Sequence, residues 1–191
     1  MKAAEELRYL VLAAQREGNR LLAQSLRPLD LTPSQAEVLR ILEDHGPLTL
    51  SALGDLLVCE IGNNPSRLVD RLVSKGAVDR RHSQEDRREV ELMLSAVGKQ
   101  LAQQVQQIED VINLRIDDAL GGQNVEATLN LLRRFVADLP AGKALTRRIG
   151  RGTSSQPDRS DSSTSVTTDP DRTRRELTKA EEENDIERSR T

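Results

Sequence analysis

Apolar residues recur along this chain with two different periods, and the switches between them mark out its elements. Between residues 5 and 25, Leu7, Leu10, Val11, Ala14, Leu21 and Leu22 form one stripe at helical spacing, with Arg8, Gln15, Arg16 and Arg20 off it. Gly18 is the weak point of that helix. Arg27-Pro28-Leu29-Asp30 breaks it, because proline lacks a donor and restricts the residue before it. Thr32-Pro33-Ser34-Gln35 then reads as a capping box with proline at the first helical position, opening a helix that buries Ala36, Leu39, Ile41 and Leu42 and ends at His45-Gly46-Pro47. A short helix starting at Thr49 or Ser51 carries Leu53, Leu56 and Leu57. Further on, Leu101, Val105, Ile108, Val111, Ile112, Ile116 and Ala119 make a near-heptad seam on a long helix over 96–120, ended by Gly121-Gly122. The pattern predicts a last helix over 124–139 that carries Val125, Leu129, Leu132, Phe135 and Val136 and is closed by Pro140.

The stretch from Leu53 to Leu94 organises the rest. Asn64 is a good N-cap, Pro65 suits the first helical position, and Gly76 stands where a left-handed cap stops the helix. Within that helix Leu68, Val69, Leu72 and Val73 face a core, whereas Ser66, Arg67, Asp70, Arg71 and Lys75 fall on the other side. Behind it, Ala77-Val78-Asp79-Arg80 is a short strand, and Val90, Leu92 and Leu94 alternate with Glu91 and Met93 at the period of a half-buried strand. The polar loop between the strands runs from His82 to Arg88. From Gly62 to Arg88 seven Lys/Arg face four Asp/Glu, a local excess of +3 on a chain whose net charge is −3. That concentration is a usual footprint of phosphate binding, the alternative being a solvated charged hairpin. Helix, turn, helix and basic hairpin are the parts of a winged helix-turn-helix, which lays one helix in the DNA major groove and a wing beside it.

The ordered motifs make a resemblance specific. Leu31-Thr32-Pro33-Ser34-Gln35 with Val38-Leu39, then Gly46-Pro47-Leu48-Thr49-Leu50-Ser51-Ala52-Leu53, Ser66-Arg67-Leu68-Val69-Asp70-Arg71-Leu72, Lys75-Gly76, Arg80-Arg81, Asp86-Arg87-Arg88 and Leu94-Ser95 with Gly98-Lys99 occur in the order found in MarR-type transcriptional regulators. The chain resembles that family over about residues 5–139. One departure is the turn Val58-Cys59-Glu60-Ile61-Gly62-Asn63, about one residue longer than usual. The resemblance implies a mainly α fold with a small β-wing: a winged helix-turn-helix lobe over about 32–94, flanked by N- and C-terminal dimerisation helices at 5–25 and 96–139. It implies that the wing arginine Arg88 enters the minor groove, where a guanidinium suits a narrow electronegative channel, and that Asp86 braces the loop through hairpin arginines such as Arg80. Asn63, Asn64, Ser66, Arg67, Arg71, Lys75 and Arg87 complete the expected DNA-binding set, with Asp70 expected to orient Arg67 or Arg71.

Composition narrows the remaining chemistry. Tyr9 and Phe135 are the only aromatics, so the core is aliphatic and no stacking pocket is indicated, although members of the resembled family often take phenolic effectors. A single cysteine excludes an intrachain disulfide and a Cys-based zinc site. Cys59 lies in the turn beside Glu60, an acidic neighbour that does not favour a thiolate; it is expected to be a small buried packing residue, with a redox switch as the alternative. Members of that family that sense oxidants typically use a cysteine of the N-terminal dimerisation region, which this chain lacks. His45 and His82 have no ligand partners at metal spacing, and no nucleophile–base constellation or phosphate loop stands in a supporting context, so neither an enzyme nor a metal or other cofactor is expected. No apolar run has membrane length and no secretory leader is evident, which predicts a cytoplasmic protein with no membrane partner.

The apolar stripes at the two ends exceed what the small lobe can cover, which predicts a homodimer rather than an uncovered helical layer. Folded structure is expected over 1–142. From 143 to 191 the chain turns Ser/Thr/Asp-rich and then alternates acids and bases, which predicts a disordered tail in which Arg147, Arg148 and Arg151 are solvated, a non-specific phosphate contact being the alternative. The expected function is sequence-specific regulation of transcription by a dimeric repressor that a small-molecule effector relieves. The alternatives are a winged-helix protein-interaction module that no longer reads DNA, and a regulator responding to oxidation of Cys59.

Overall fold

The computed structural model describes residues 1–59, 65–83, 88–121 and 124–154, the last four as backbone alone. Its elements run α1 (Ala3–Leu26), a 3-10 turn (Arg27–Leu29), α2 (Pro33–His45), β1 (Leu48–Thr49), α3 (Leu50–Gly54), α4 (Pro65–Ser74), β2 (Val78–His82), β3 (Val90–Leu94), α5 (Ala96–Leu120), α6 (Val125–Val136) and α7 (Pro140–Ser154). The capping box predicted at Thr32 is present: its hydroxyl accepts from the Gln35 N–H and the Gln35 side chain accepts from the Thr32 N–H. Thr49 likewise caps α3 by accepting from the Ala52 N–H at 3.2 Å.

β2 and β3 pair antiparallel from Val78↔Leu94 to His82↔Val90, and Leu48 and Thr49 add a short third strand on the other edge of β3. That strand is absent from the hydropathy pattern because two residues carry no period. Within β3, Leu92 and Leu94 are buried as the alternation requires, but Val90 lies at the exposed tip of the hairpin. The aliphatic core is contributed by α2 (Ala36, Val38, Leu39, Ile41), the helix-turn-helix (Leu53, Leu56, Leu68, Val69, Leu72), the sheet (Val78, Leu92) and the start of α5 (Ala102, Val105).

A compact joint fixes the wing to α5. The Ser95 hydroxyl caps α5 by accepting from the Gly98 N–H at 3.0 Å and donates to the Gly76 carbonyl at 2.6 Å, while the Ser95 N–H donates to the Ala77 carbonyl at 3.0 Å. Gly98 packs so tightly here that a Cβ would fall 1.9 Å from the Ala77 carbonyl oxygen. Close approach of a helix to a backbone carbonyl is thus the physical reason for glycine in the Leu94-Ser95…Gly98-Lys99 motif.

The C-terminal end departs from the sequence expectation. Pro140 does not close the last helix but opens another, α7, at the first helical position, where its missing N–H leaves nothing unpaired. Residues 143–154, expected to belong to a disordered tail, are therefore helical, and Ala144 is buried. The remainder of that expected tail, 155–191, lies outside the described residues.

Candidate nucleic-acid interface

α4 presents its two faces as the spacing requires. Leu68, Val69 and Leu72 are buried, Arg67, Asp70 and Arg71 are exposed, and Ser66 is half-buried at the first turn. The helix ends in a Schellman cap: Gly76, at φ +68°, donates to the Val73 carbonyl at 2.8 Å and Ala77 to that of Leu72 at 2.9 Å. The chain can therefore turn straight from α4 into β2, which sets the wing beside the helix.

Contacts among the charged residues redistribute the expected roles. Asp70 accepts from Arg80 Nη2 at 2.6 Å, so the acid expected to orient an arginine of its own helix instead ties α4 to the wing strand. Arg80 is accordingly a bracing residue, though through α4. Arg81 pairs with Asp79 at 3.8 Å along β2. Lys75, of the expected DNA-binding set, also has a partner within the chain. Its ammonium holds Asp30, at 2.6 Å from the carboxylate and also at the carbonyl, across the junction between the 3-10 turn and α2. Asp30 is the one non-glycine residue with positive φ among the described residues, and this cation stabilises that turn. Arg88 is exposed just before β3, and the Ser83 N–H donates to the Glu89 carbonyl at 2.9 Å to close the base of the wing loop. Asn63, Asn64, Asp86 and Arg87 lie outside the described residues.

Cys59 corrects another expectation: it is exposed, not buried packing. Its own N–H is engaged, donating to Glu37 Oε2 at 3.0 Å, while Val58 N–H donates to Glu37 Oε1 at 2.8 Å. Glu37 is only 6% exposed and was missed in the sequence reading. The signal was there: it stands between Ala36 and Val38 and one turn before Ile41, a charge on the core face of α2. Arg148 of α7, half-buried, closes on the same carboxylate at 3.4 Å, whereas Arg147 pairs with Asp55 at 3.3 Å but stays exposed; the Arg151 side chain lies outside the described residues.

Next to this, Arg40 pairs with Glu109 of α5 at 3.3 Å and with Asp44 at 3.5 Å. Burial pushes the Glu109 carboxyl above its ordinary value, and the neighbouring Arg40 and Arg148 charges oppose but do not cancel that shift. α6 buries no residue at all, and Leu10, Leu114 and Phe135 are 60%, 67% and 59% exposed. An apolar groove between α1 and α6 is lined by Ala4, Leu7, Arg8, Val11, Leu12 and Phe135. No described helix is long and apolar enough to cross a membrane.

Comparison with known proteins agrees with this geometry. Residues 31–90 match the model of the MarR family. The multiple antibiotic resistance protein MarR of Escherichia coli K12 is 32% identical over 99 residues, covering 52% of this chain and 68% of that protein. The HTH-type transcriptional regulator YfiV of Bacillus subtilis is 37% identical over 73 residues, but the match spans 38% of this chain and only 45% of that relative. Among solved structures, a cysteine-to-serine mutant of E. coli MarR complexed with operator DNA superposes with a TM-score of 0.60 at 29% identity, over 69% of this chain and 94% of that one. The 2,4-dichlorophenol-bound form of the organohalide-sensing regulator RdhR-CbdbA1625 shares the fold, with a TM-score of 0.63 at 18% identity over 73% of this chain and 83% of that one. A capped recognition-type helix, a paired basic wing and these matches together make the chain a member of the MarR family of winged-helix transcriptional regulators.

Proposed function

We propose that this protein represses transcription by binding duplex DNA as a homodimer, with α4 in the major groove and the β2–β3 wing against the adjacent minor groove. The observation that carries the reading is the joint exposure of Arg67 and Arg71 on α4 and of Arg88 on the wing, on a lobe whose acid at the centre of α4, Asp70, is held by Arg80. Ser66, Arg67 and Arg71 are assigned to base edges or phosphates and Arg88 to the minor groove; Asn63, Asn64 and Arg87 join them on their sequence positions. Lys75 is assigned to the Asp30 junction rather than to DNA.

Dimerisation follows from the uncovered apolar faces. An amphipathic α6 without one buried residue, facing a bare groove on α1, stabilises only when a second copy covers it. The folded unit of this reading spans 1–154, with the dimer built on α1, α5 and α6. An effector is assigned to the cleft between α1 and α5, where Gln15, Asn19, Glu109 and Asn113 offer polar groups beside Leu22 and Ile112. Binding there would change the spacing of the two lobes and so favour the state that does not match paired half-sites. The cleft mixes these polar groups with apolar surface and has no aromatic residue in its lining, which argues against a ring-stacking ligand.

The test is binding to duplex DNA from the protein's own upstream region against a scrambled duplex, across a salt series, with Arg88→Ala alongside. Tight binding to the first duplex that weakens steeply with salt and is impaired by Arg88→Ala supports the reading. Equal weak binding to both would remove repression at that promoter. The exposure of Cys59 favours a second reading in which its oxidation disturbs the turn before α4. Peroxide would then abolish binding by the native chain and spare Cys59→Ser; equal sensitivity of both would eliminate it.

A further inference from the structure

Arg148 lies far along the chain from the helix-turn-helix, yet it reaches the carboxylate that holds the Val58 and Cys59 amides. Glu37 sits at the centre of this contact. Its two carboxylate oxygens accept separately from the consecutive N–H groups of Val58 and Cys59, at 2.8 and 3.0 Å, and Arg148 Nη1 approaches Oε1 at 3.4 Å. Glu37 is only 6% exposed, and a buried carboxylate that loses one of its few partners leaves a polar group unsatisfied. Two consecutive amides bound to the two oxygens of one carboxylate also fix the plane of the intervening peptide. Just before it, Gly54 at the end of α3 stands against the first residue of α4, a Cβ there falling 3.6 Å from Pro65 Cγ, so the segment that Glu37 holds adjoins the start of α4 in space.

α7 is held firmly enough to deliver the arginine. Gly142 approaches α6 so closely that a Cβ would lie 1.9 Å from the Val136 carbonyl oxygen, Ala144 is buried, and Arg147 reaches Asp55 at 3.3 Å just after α3. The Arg148 charge also acts on Glu109 of α5. One cation from α7 therefore faces acids from both the DNA lobe, through α2, and the long helix α5.

We propose that α7 is a latch on the helix-turn-helix, in which Arg148 is a positioning residue that holds the Glu37 carboxylate against the Val58 and Cys59 amides and so keeps α4 in its DNA-reading orientation. The inference rests on the DNA-binding reading above. With α7 docked, the turn is pinned and affinity is full. With Arg148 withdrawn, Glu37 lacks its countercharge, the amides open more often and α4 is less well oriented.

The experiment uses the full-length 15N-labelled protein as wild type, Arg148→Ala, Arg148→Lys, Glu37→Gln and the Arg148→Ala/Glu37→Gln double variant. Amide exchange and affinity for a specific duplex are measured for each. Exchange at Val58 and Cys59 should accelerate about tenfold in Arg148→Ala while Leu39 and Ile41 in the core keep their rates. Specific affinity should fall by about five- to twentyfold, with Arg148→Lys recovering part of it. Once Glu37→Gln is present, Arg148→Ala should cost less than about a further twofold, because the two residues act as one unit. Unchanged exchange at the two amides, acceleration spread evenly over the core, or additive losses in the double variant would each overturn the latch. If wild type discriminated no duplex, the DNA-reading role would fall with the proposed function, while the exchange data alone would still decide whether Arg148 holds the turn.

Discussion

Replacing Gly98 by alanine probes the joint between wing and long helix with a single carbon atom. The new Cβ would stand 1.9 Å from the Ala77 carbonyl oxygen, 2.9 Å from its carbon and 3.3 Å from Leu94 Cδ2, against ordinary contacts that begin near 3.4 Å. Two of these atoms are backbone, so α5 must retreat by about 1.5 Å or the β2 entry must bend; neither is a side-chain rotation. Overpacking of this kind costs about 1–3 kcal/mol. The retreat also stretches the Ser95 N–H bond to Ala77, placing another ~1 kcal/mol at risk. Alanine returns about 1 kcal/mol through helix propensity, which does not offset the clash. Gly98→Ala should therefore lose roughly 1–3 kcal/mol and melt roughly 2–12 °C lower, measured at fixed protomer concentration because a dimer's melting point depends on it. A variant as stable as the native chain would refute the claim that the Gly98 contact with Ala77 sets the distance between wing and α5.

Gly18→Ala should have the opposite sign: Gly18 lies in the interior of α1 with nothing within 4 Å of a Cβ, so urea unfolding should show a gain of about 0.5–1 kcal/mol. Glu109 gives a pH test. Its folded-state value is raised, so the fold holds the proton more tightly than the unfolded chain does, and this group's penalty is relieved as pH falls from the raised value through the ordinary carboxylate range. Glu109→Gln should accordingly be more stable than the native chain near neutrality, with that margin shrinking on acidification; a margin that grows would reverse the assignment of burial as the dominant cause. Asp70→Asn should change stability by less than about 1 kcal/mol, since its pair with Arg80 is largely solvent-exposed, yet should strengthen binding to scrambled duplex by removing a negative charge from the DNA-facing side of α4.

Much of the fold was legible because its elements carry strong local chemistry. Thr32-Pro33-Ser34-Gln35 opens α2 with a capping box, Pro65 starts α4, Gly76 ends it, and Ser95 starts α5. What escaped lacks such signals. β1 has two residues, too few for a period, and becomes a strand only because β3 supplies its ladder. Pro140 is ambiguous in sequence, since proline both stops helices and starts them, and the polar composition after it hid an amphipathic α7. In the candidate interface, the exposed arginines of α4 followed from helical spacing, but the partners of Asp70 and Lys75 are ten and forty-five residues away and had no local trace. Cys59 is expected inside because acidic Glu60 beside it does not favour a thiolate; here its backbone is what the fold uses, through Glu37, and the residue is exposed.

The central claim is that two copies of α4 read paired half-sites, and the most direct measurement is selection of bound sequences from a random duplex library by the full-length protein. The bound sequences should contain an inverted repeat whose half-site centres are about one helical turn apart, roughly 10 base pairs or a multiple of it. The base preference within each half-site should also relax in Arg71→Ala or Arg67→Ala. Recovery of no enriched sequence, or of a single unrepeated site bound by one protomer, would contradict the claim.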